Sequence, residues 1–179
     1  MKNIMLSIHP HFCNLIASGE KTIEVRKTRP NIQTPFKVYI YCTHDFSNSK
    51  TRKRKYRLWI GEPLNKDSGG RYVGNGTVIG EYICDQVLEY PYIDDGYSSG
   101  GDYLTLTRNE HIKMCLDYDE LLTYGDGKTL YGWHISDLVI YDKPKELNEF
   151  SKYGFGSFVP LKRPPQSWCY VEEREDNQK

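Results

Sequence analysis

The stretch SGEKTIEVRKTRP, Ser18 to Pro30, holds the turning point of the chain. Gly19 suits the left-handed backbone position that closes a helix. A strand follows at once. From Thr22 the side chains alternate, with Ile23 and Val25 on one face and Thr22, Glu24 and Arg26 on the other. A half-buried strand needs only neutral polar residues on its wet face. Here a carboxylate and a guanidinium stand about 7 Å apart along the strand, with Lys21 at its entrance. That spacing suits gripping a polar ligand. It equally describes a cross-strand ion pair on a solvated face.

Upstream, Asn3 to Ile8 reads as a first strand. His9-Pro10 starts a short helix, proline being favoured in the first turn, with Phe12, Leu15 and Ile16 on its buried side. Downstream, Phe36 to Thr43 alternates Val38, Ile40 and Cys42 with Lys37, Tyr39 and Tyr41, which predicts a third strand. Asp45 to Asn75 is irregular and reads as an insertion with room for its own hairpin. Thr77 to Tyr90 predicts one long, bent strand with Val78, Tyr82 and Cys84 inward. Pro91 to Tyr103 reads as loop.

Thr107 followed by Glu110 is a capping-box pattern, predicting a helix to about Leu116. Asp117 caps another through Leu122. Leu130 to Tyr141 predicts a strand with Tyr131, Trp133 and Ile135 on one side. Pro164, Pro165, Gln166 and Ser167 form an approach turn, since proline cannot donate to a ladder, and Trp168 to Val171 is the last strand. Glu172 to Lys179 is too polar to pack and reads as a disordered tail. The expectation is an α+β fold: a small mixed β-barrel with short helices at its rim, one domain over residues 1–171 with a basic insertion at about 45–75.

Composition supports a real core at 179 residues. Hydrophobic residues make up only 38%, but aromatics reach 13%, largely through 15 tyrosines, which suits a small β-rich body. No run approaches the roughly 20 apolar residues of a membrane span, and Ser7, His9, Pro10 and His11 interrupt the N-terminus too soon for a signal peptide. Cys13, Cys42, Cys84, Cys115 and Cys169 are odd in number and scattered, so they read as reduced thiols in a cytoplasmic protein. The glycine pairs Gly74/Gly76 and Gly125/Gly127 are turn signals. Neither a phosphate-binding G-x-x-x-x-G-K-[ST] loop nor a dinucleotide fingerprint is present, which argues against an NTPase or dehydrogenase.

A net charge of zero conceals a division. Residues 1–57 hold 12 Lys/Arg against 3 Asp/Glu, and the remainder hold 12 against 21. Such asymmetry points to a basic face for a polyanion. Six of the eight residues from Lys50 to Arg57 are basic. Lys53, Arg54 and Lys55 suit a phosphate-binding arm, with Tyr56 and Trp59 beside it for stacking on bases. The same run also fits a solvated loop.

MLSIHPHFCNLIASGEKTIEVRK, from Met5 to Lys27, resembles the opening of an ASCH domain, a member of the PUA-like group. GTVIGEYICDQV (Gly76 to Val87), YGWHISDLVIYDKPKEL (Tyr131 to Leu147) and RPPQSWCYV (Arg163 to Val171) resemble its later segments in the same order. The resemblance implies a pseudobarrel with a cleft between the first helix and the barrel mouth, taking single-stranded RNA or a nucleotide-like ligand. Lys21, Glu24 and Arg26 would then wall the cleft. Arg26 would hold a phosphate or stack on a base, and Glu24 would accept from an exocyclic amine. His9 would end the first strand near the cleft, and Gln166 and Ser167 would read a polar ligand edge.

Some proteins of that family hydrolyse N4-acylated cytidine, using a lysine at the G-x-K position and a threonine three residues later. Lys21 matches, but Glu24 stands where the nucleophilic threonine belongs, and a carboxylate cannot replace a hydroxyl without changing the mechanism. Thr22, on the same face, is the alternative nucleophile, and neither Glu110 nor Glu120 clearly supplies the remaining acid. A third reading is a protein-interaction module whose basic arm docks an acidic partner. His9, His11 and Cys13 are good zinc ligands in type but not in spacing, and no metal or cofactor is expected. Trp133 is expected in the core and His134 at the surface. Oligomeric state is not legible.

Overall fold

The computed structural model describes residues 2–43, 76–94, 103–154 and 159–174. The expected insertion, with Lys53, Arg54, Lys55, Tyr56 and Trp59, lies outside them. Strand β1 (Asn3–Ile8) leads into α1 (Pro10–Ala17), then β2 (Ile23–Arg26) and β3 (Phe36–Cys42). Next come β4 (Val78–Cys84), β5 (Val87–Tyr90), the short pair β6 (Tyr92–Ile93) and β7 (Tyr103–Leu104), α2 (Arg108–Met114) and α3 (Tyr118–Gly125). The chain continues through β8 (Leu130–His134), β9 (Ser136–Lys145), β10 (Phe150–Lys152) and β11 (Trp168–Glu173). The expected capping box of Thr107 with Glu110 forms, Asp117 caps the next helix as expected and makes a second box with Glu120, and Gly19 takes a φ of 79°.

The strands make a six-stranded sheet in the order β10-β11-β1-β3-β4-β9, a three-stranded sheet β2-β8-β5, and the β6-β7 pair. The α+β expectation holds, whereas no closed barrel forms among the described residues. Two expected strands instead each serve both sheets. Thr77 to Tyr90 breaks after Cys84, and Leu130 to Tyr141 breaks at Ile135. The two run antiparallel throughout, Ile83 beside Ser136 in one sheet and Val87 beside Trp133 in the other. They form one ribbon folded over at a corner, where the His134 N–H donates to the Gln86 carbonyl at 2.9 Å.

The expected tail begins at Glu172, yet Glu172 and Glu173 belong to β11, paired with Ser151 and Phe150. The sequence pattern did not reveal β10, which supplies that pairing and keeps these acids in a ladder. Pro91 to Tyr103, expected as loop, contributes β6 and the first residue of β7.

Three apolar clusters follow from this layering. The largest lies on one face of the big sheet and gathers Leu6, Val38, Ile40, Tyr82 and Trp133. Met5, Tyr39, Phe150 and Val171 pack on the opposite face. Ile23 and Val25 join Tyr90, Met114, Leu121 and Leu130 beneath α2 and α3. Strand β2 is therefore packed on both faces, and this determines the character of its charges. Five cysteines are free thiols. No helix among the described residues is long and apolar enough to cross a membrane.

Candidate functional site

Lys21, Glu24 and Arg26 come together, but not on a solvated face. Their side chains are 1%, 5% and 13% exposed. Alternation places Glu24 and Arg26 opposite Ile23 and Val25, with Lys21 just ahead of the strand, and that side of β2 turns toward the large sheet and α1 rather than toward water. Glu24 lies between the two cations: Oε1 is 3.0 Å from Arg26 Nη2, and Oε2 is 3.4 Å from Lys21 Nζ. Among the described residues, Oε2 makes no hydrogen bond, nor does the buried Arg26 Nε.

The cations are held in place by backbone. Lys21 Nζ donates to the Met114 carbonyl at the end of α2, and Arg26 Nη2 donates to the Ser7 carbonyl at 2.8 Å. The Lys21 ammonium also lies 5.1 Å from the centre of the Phe12 ring. Burial pulls the Lys21 pKa below the usual lysine value, against Glu24, which favours the charged form. Burial works against the Arg26 cation too, but Glu24 and the Tyr124 hydroxyl outweigh it and hold its pKa above the usual value.

These three residues line a cavity of about 280 Å³ together with Ser7, Ile8, His9, Phe12, Val25, Leu116 and Tyr124. One wall is an ionic cluster, and the rest is mostly apolar or aromatic. His9, the N-cap of α1, lines it as expected. Thr22 does not; its N–H and C=O are used instead to tie β2 to Lys113 and Ile135. Gln166 and Ser167 are exposed and do not line it either, though their turn touches the rim. Ser7 donates from its N–H to Ser167 O at 2.9 Å and from its hydroxyl to Pro165 O at 2.7 Å. Cys13 lies in the core, its thiol donating to Ile8 O at 3.6 Å, so it does not face His9.

Trp133 is fully buried, edge-on to Phe36 and Trp168. His134 sits in the outer corner 2.6 Å from Asp85. Sequence reasoning missed Phe12 as a wall residue and missed Tyr124 altogether. A signal for Tyr124 existed: it lies three residues after the buried Leu121 on α3, beside the buried Gly125, at the edge of that helix's inward stripe.

No protein-family model matches the chain, and no curated protein matches it in sequence. Solved structures do match. The crystal structure of ASCH from Zymomonas mobilis is 19% identical, with a TM-score of 0.55 over 96% of this chain and 88% of that one. Crystal structures of two point mutants of the same protein align at TM-score 0.57 and 19% identity, covering 97% of this chain and 90% and 93% of theirs. At that identity the likeness carries architecture, and it spans nearly the whole chain. The protein therefore folds like the ASCH protein of Zymomonas mobilis, around a cavity whose charged wall is internally paired.

Proposed function

We propose that this is an ASCH-type binding protein whose cavity receives one base of a single-stranded RNA or of a nucleotide-like ligand. The supporting observation is the cavity's make-up: Phe12 and Tyr124 bring aromatic rings to its lining from α1 and α3, and Glu24 and Arg26 bring polar groups. Its volume of about 280 Å³ falls just below the roughly 300–1,000 Å³ typical of ligand pockets. That suits a single unstacked base and excludes a duplex. Arg26 enters this reading in a changed role. Its fork already serves Glu24 and Ser7, so it orients the carboxylate more than it clamps a phosphate.

The test is fluorescence anisotropy of labelled single-stranded RNA, duplex RNA and DNA, with wild type beside Tyr124→Ala and Arg26→Ala. Preference for single strands, lost in Tyr124→Ala while the far-ultraviolet circular dichroism is unchanged, is the expected result. Equal binding of all three polymers by every variant would remove the cavity from the account.

One observation favours a second reading, hydrolysis of N4-acylated cytidine: Lys21 is buried in the cavity wall with a lowered pKa, as a catalytic lysine requires. Against it, Glu24 holds the nucleophile position and Thr22 lies outside the cavity lining. Release of cytidine from N4-acetylcytidine above the buffer rate would establish this activity, and its absence at high enzyme concentration would discard it.

A further inference from the structure

The surroundings of the cavity are electrically lopsided. On one side, α3 begins with Asp117, Asp119 and Glu120, which line a shallow groove that Tyr124 shares with the cavity. On the other side, two exposed loops run next to each other. One follows β2 and carries Arg29; the other precedes β11 and carries Lys162 and Arg163, while Lys27, at the start of the first loop, turns back to lie 5.2 Å from the centre of the Tyr124 ring on the α3 side. Neither residues 25–44 nor residues 159–171 contain a single Asp or Glu.

These loops are built together and joined to the cavity. Trp168 Nε1 donates to Thr28 Oγ1 at 3.0 Å, bridging one loop to the end of the other, and the Asn31 N–H donates to the Tyr170 hydroxyl at 2.8 Å. Ser7 provides the link. Its carbonyl accepts from Arg26, while its N–H and hydroxyl donate to Ser167 and Pro165. Beside the seam, Arg29, Pro30, Asn31, Ile32 and Gln33 line an open groove of about 430 Å³.

Resting on the base-binding reading above, we propose that this seam is the exit path of a single-stranded RNA. The strand's sugar-phosphate backbone crosses the Thr28–Gln33 and Lys162–Ser167 loops and turns away from α3. An acid-free surface with three cations, Arg29, Lys162 and Arg163, attracts phosphates from one direction, and three carboxylates repel them from the other. Gln33, Gln166 and Ser167 supply neutral donors along the path. The cavity thus selects a base, and the seam sets the direction in which the strand leaves it.

The probe is a fluorescein-labelled 12-nucleotide RNA of mixed sequence, titrated at several salt concentrations with wild type, Arg29→Ala/Arg163→Ala and Asp119→Asn. Binding of free nucleosides, followed by ligand-detected NMR, reports the cavity alone. For single strands the slope of log K against log salt is about −0.7 per phosphate contacted. The loop double variant is expected to flatten it by about 1.4, and Asp119→Asn to leave RNA binding unchanged or slightly tighter. An unchanged slope in the double variant, with nucleosides still bound, overturns the exit path and leaves base binding standing. If wild type binds neither RNA nor nucleosides, base binding fails and the seam proposal falls with it.

Discussion

Replacing Glu24 by Gln removes the carboxylate that both buried cations face, at nearly constant shape. Lys21 and Arg26, 1% and 13% exposed, would keep their backbone partners but lose their counter-charge. Removing one member of a buried ionic cluster is destabilising by about 3–5 kcal/mol. At this chain length each kcal/mol lowers Tm by about 2–4 °C, so the expected drop at pH 7 is about 6–20 °C. The deficit also has a pH signature. Lys21 already titrates below the ordinary lysine value of 10.5 because of burial, and loss of Glu24 pushes it lower. Between that lowered value and 10.5 the unfolded chain binds more protons than the folded one, so stability rises with pH. Glu24→Gln should therefore recover part of its lost stability between pH 7 and pH 9.5, as Lys21 sheds its proton. Thermal melts at both pH values decide the matter, with Lys21→Met/Glu24→Gln as the variant in which the pH recovery should vanish. A Tm for Glu24→Gln within 2 °C of wild type at pH 7 would refute the idea of a closed, mutually dependent cluster.

Further outcomes follow from the same structure. Tyr124→Ala leaves the core intact, because the side chain is 36% exposed. It should weaken base-dependent binding by about 1–3 kcal/mol, the range for one stacked base, with Tm nearly unchanged; equal affinities for wild type and variant would exclude stacking there. Neutralising Lys53, Arg54 and Lys55 should flatten the RNA salt slope by about 2 if each meets a phosphate, uniformly across sequences, and an unaltered slope excludes the arm. Thr107→Ala removes the side-chain cap of α2, which accepts from the Glu110 N–H, and should lower stability by about 1 kcal/mol in a denaturant titration. Gly132→Ala would place a methyl 2.8 Å from both Ile23 and Tyr90 side chains; a measurable loss of stability is expected, and a neutral result would show that β2 can move away from β8.

The elements were largely legible because their signals are local. Alternation gave β3, and the caps at Thr107 and Asp117 gave the starts of α2 and α3. What escaped depends on partners distant in sequence. Nothing within Thr77–Tyr90 says that its pairing passes to a second sheet after Cys84, because Asp85 and Gln86, where the strand breaks, carry no information about the partner on either side. The same holds for the site. The alternation of Ile23, Glu24, Val25 and Arg26 was read correctly as two faces. That the charged face is itself buried, in a strand packed on both sides, is decided by α1 and the large sheet, not by the stretch that contains it. Tyr124 becomes a wall residue because the end of α2 is tied to Lys21, a contact spanning 93 positions.

That long tether has a kinetic meaning. The cavity draws on residues 7–26 and 116–124, and its rim is fastened through Ser7 to Pro165, 158 positions away. Closing loops of that size precedes any reward from the contacts they permit, so the cavity belongs to the late, slow part of folding. A nascent chain carries β1, α1 and β2, with Lys21, Glu24 and Arg26 already in order, well before Met114 or Pro165 has been synthesised. Until then its three charges remain in water, and the cavity has only one of the two chain segments that line it.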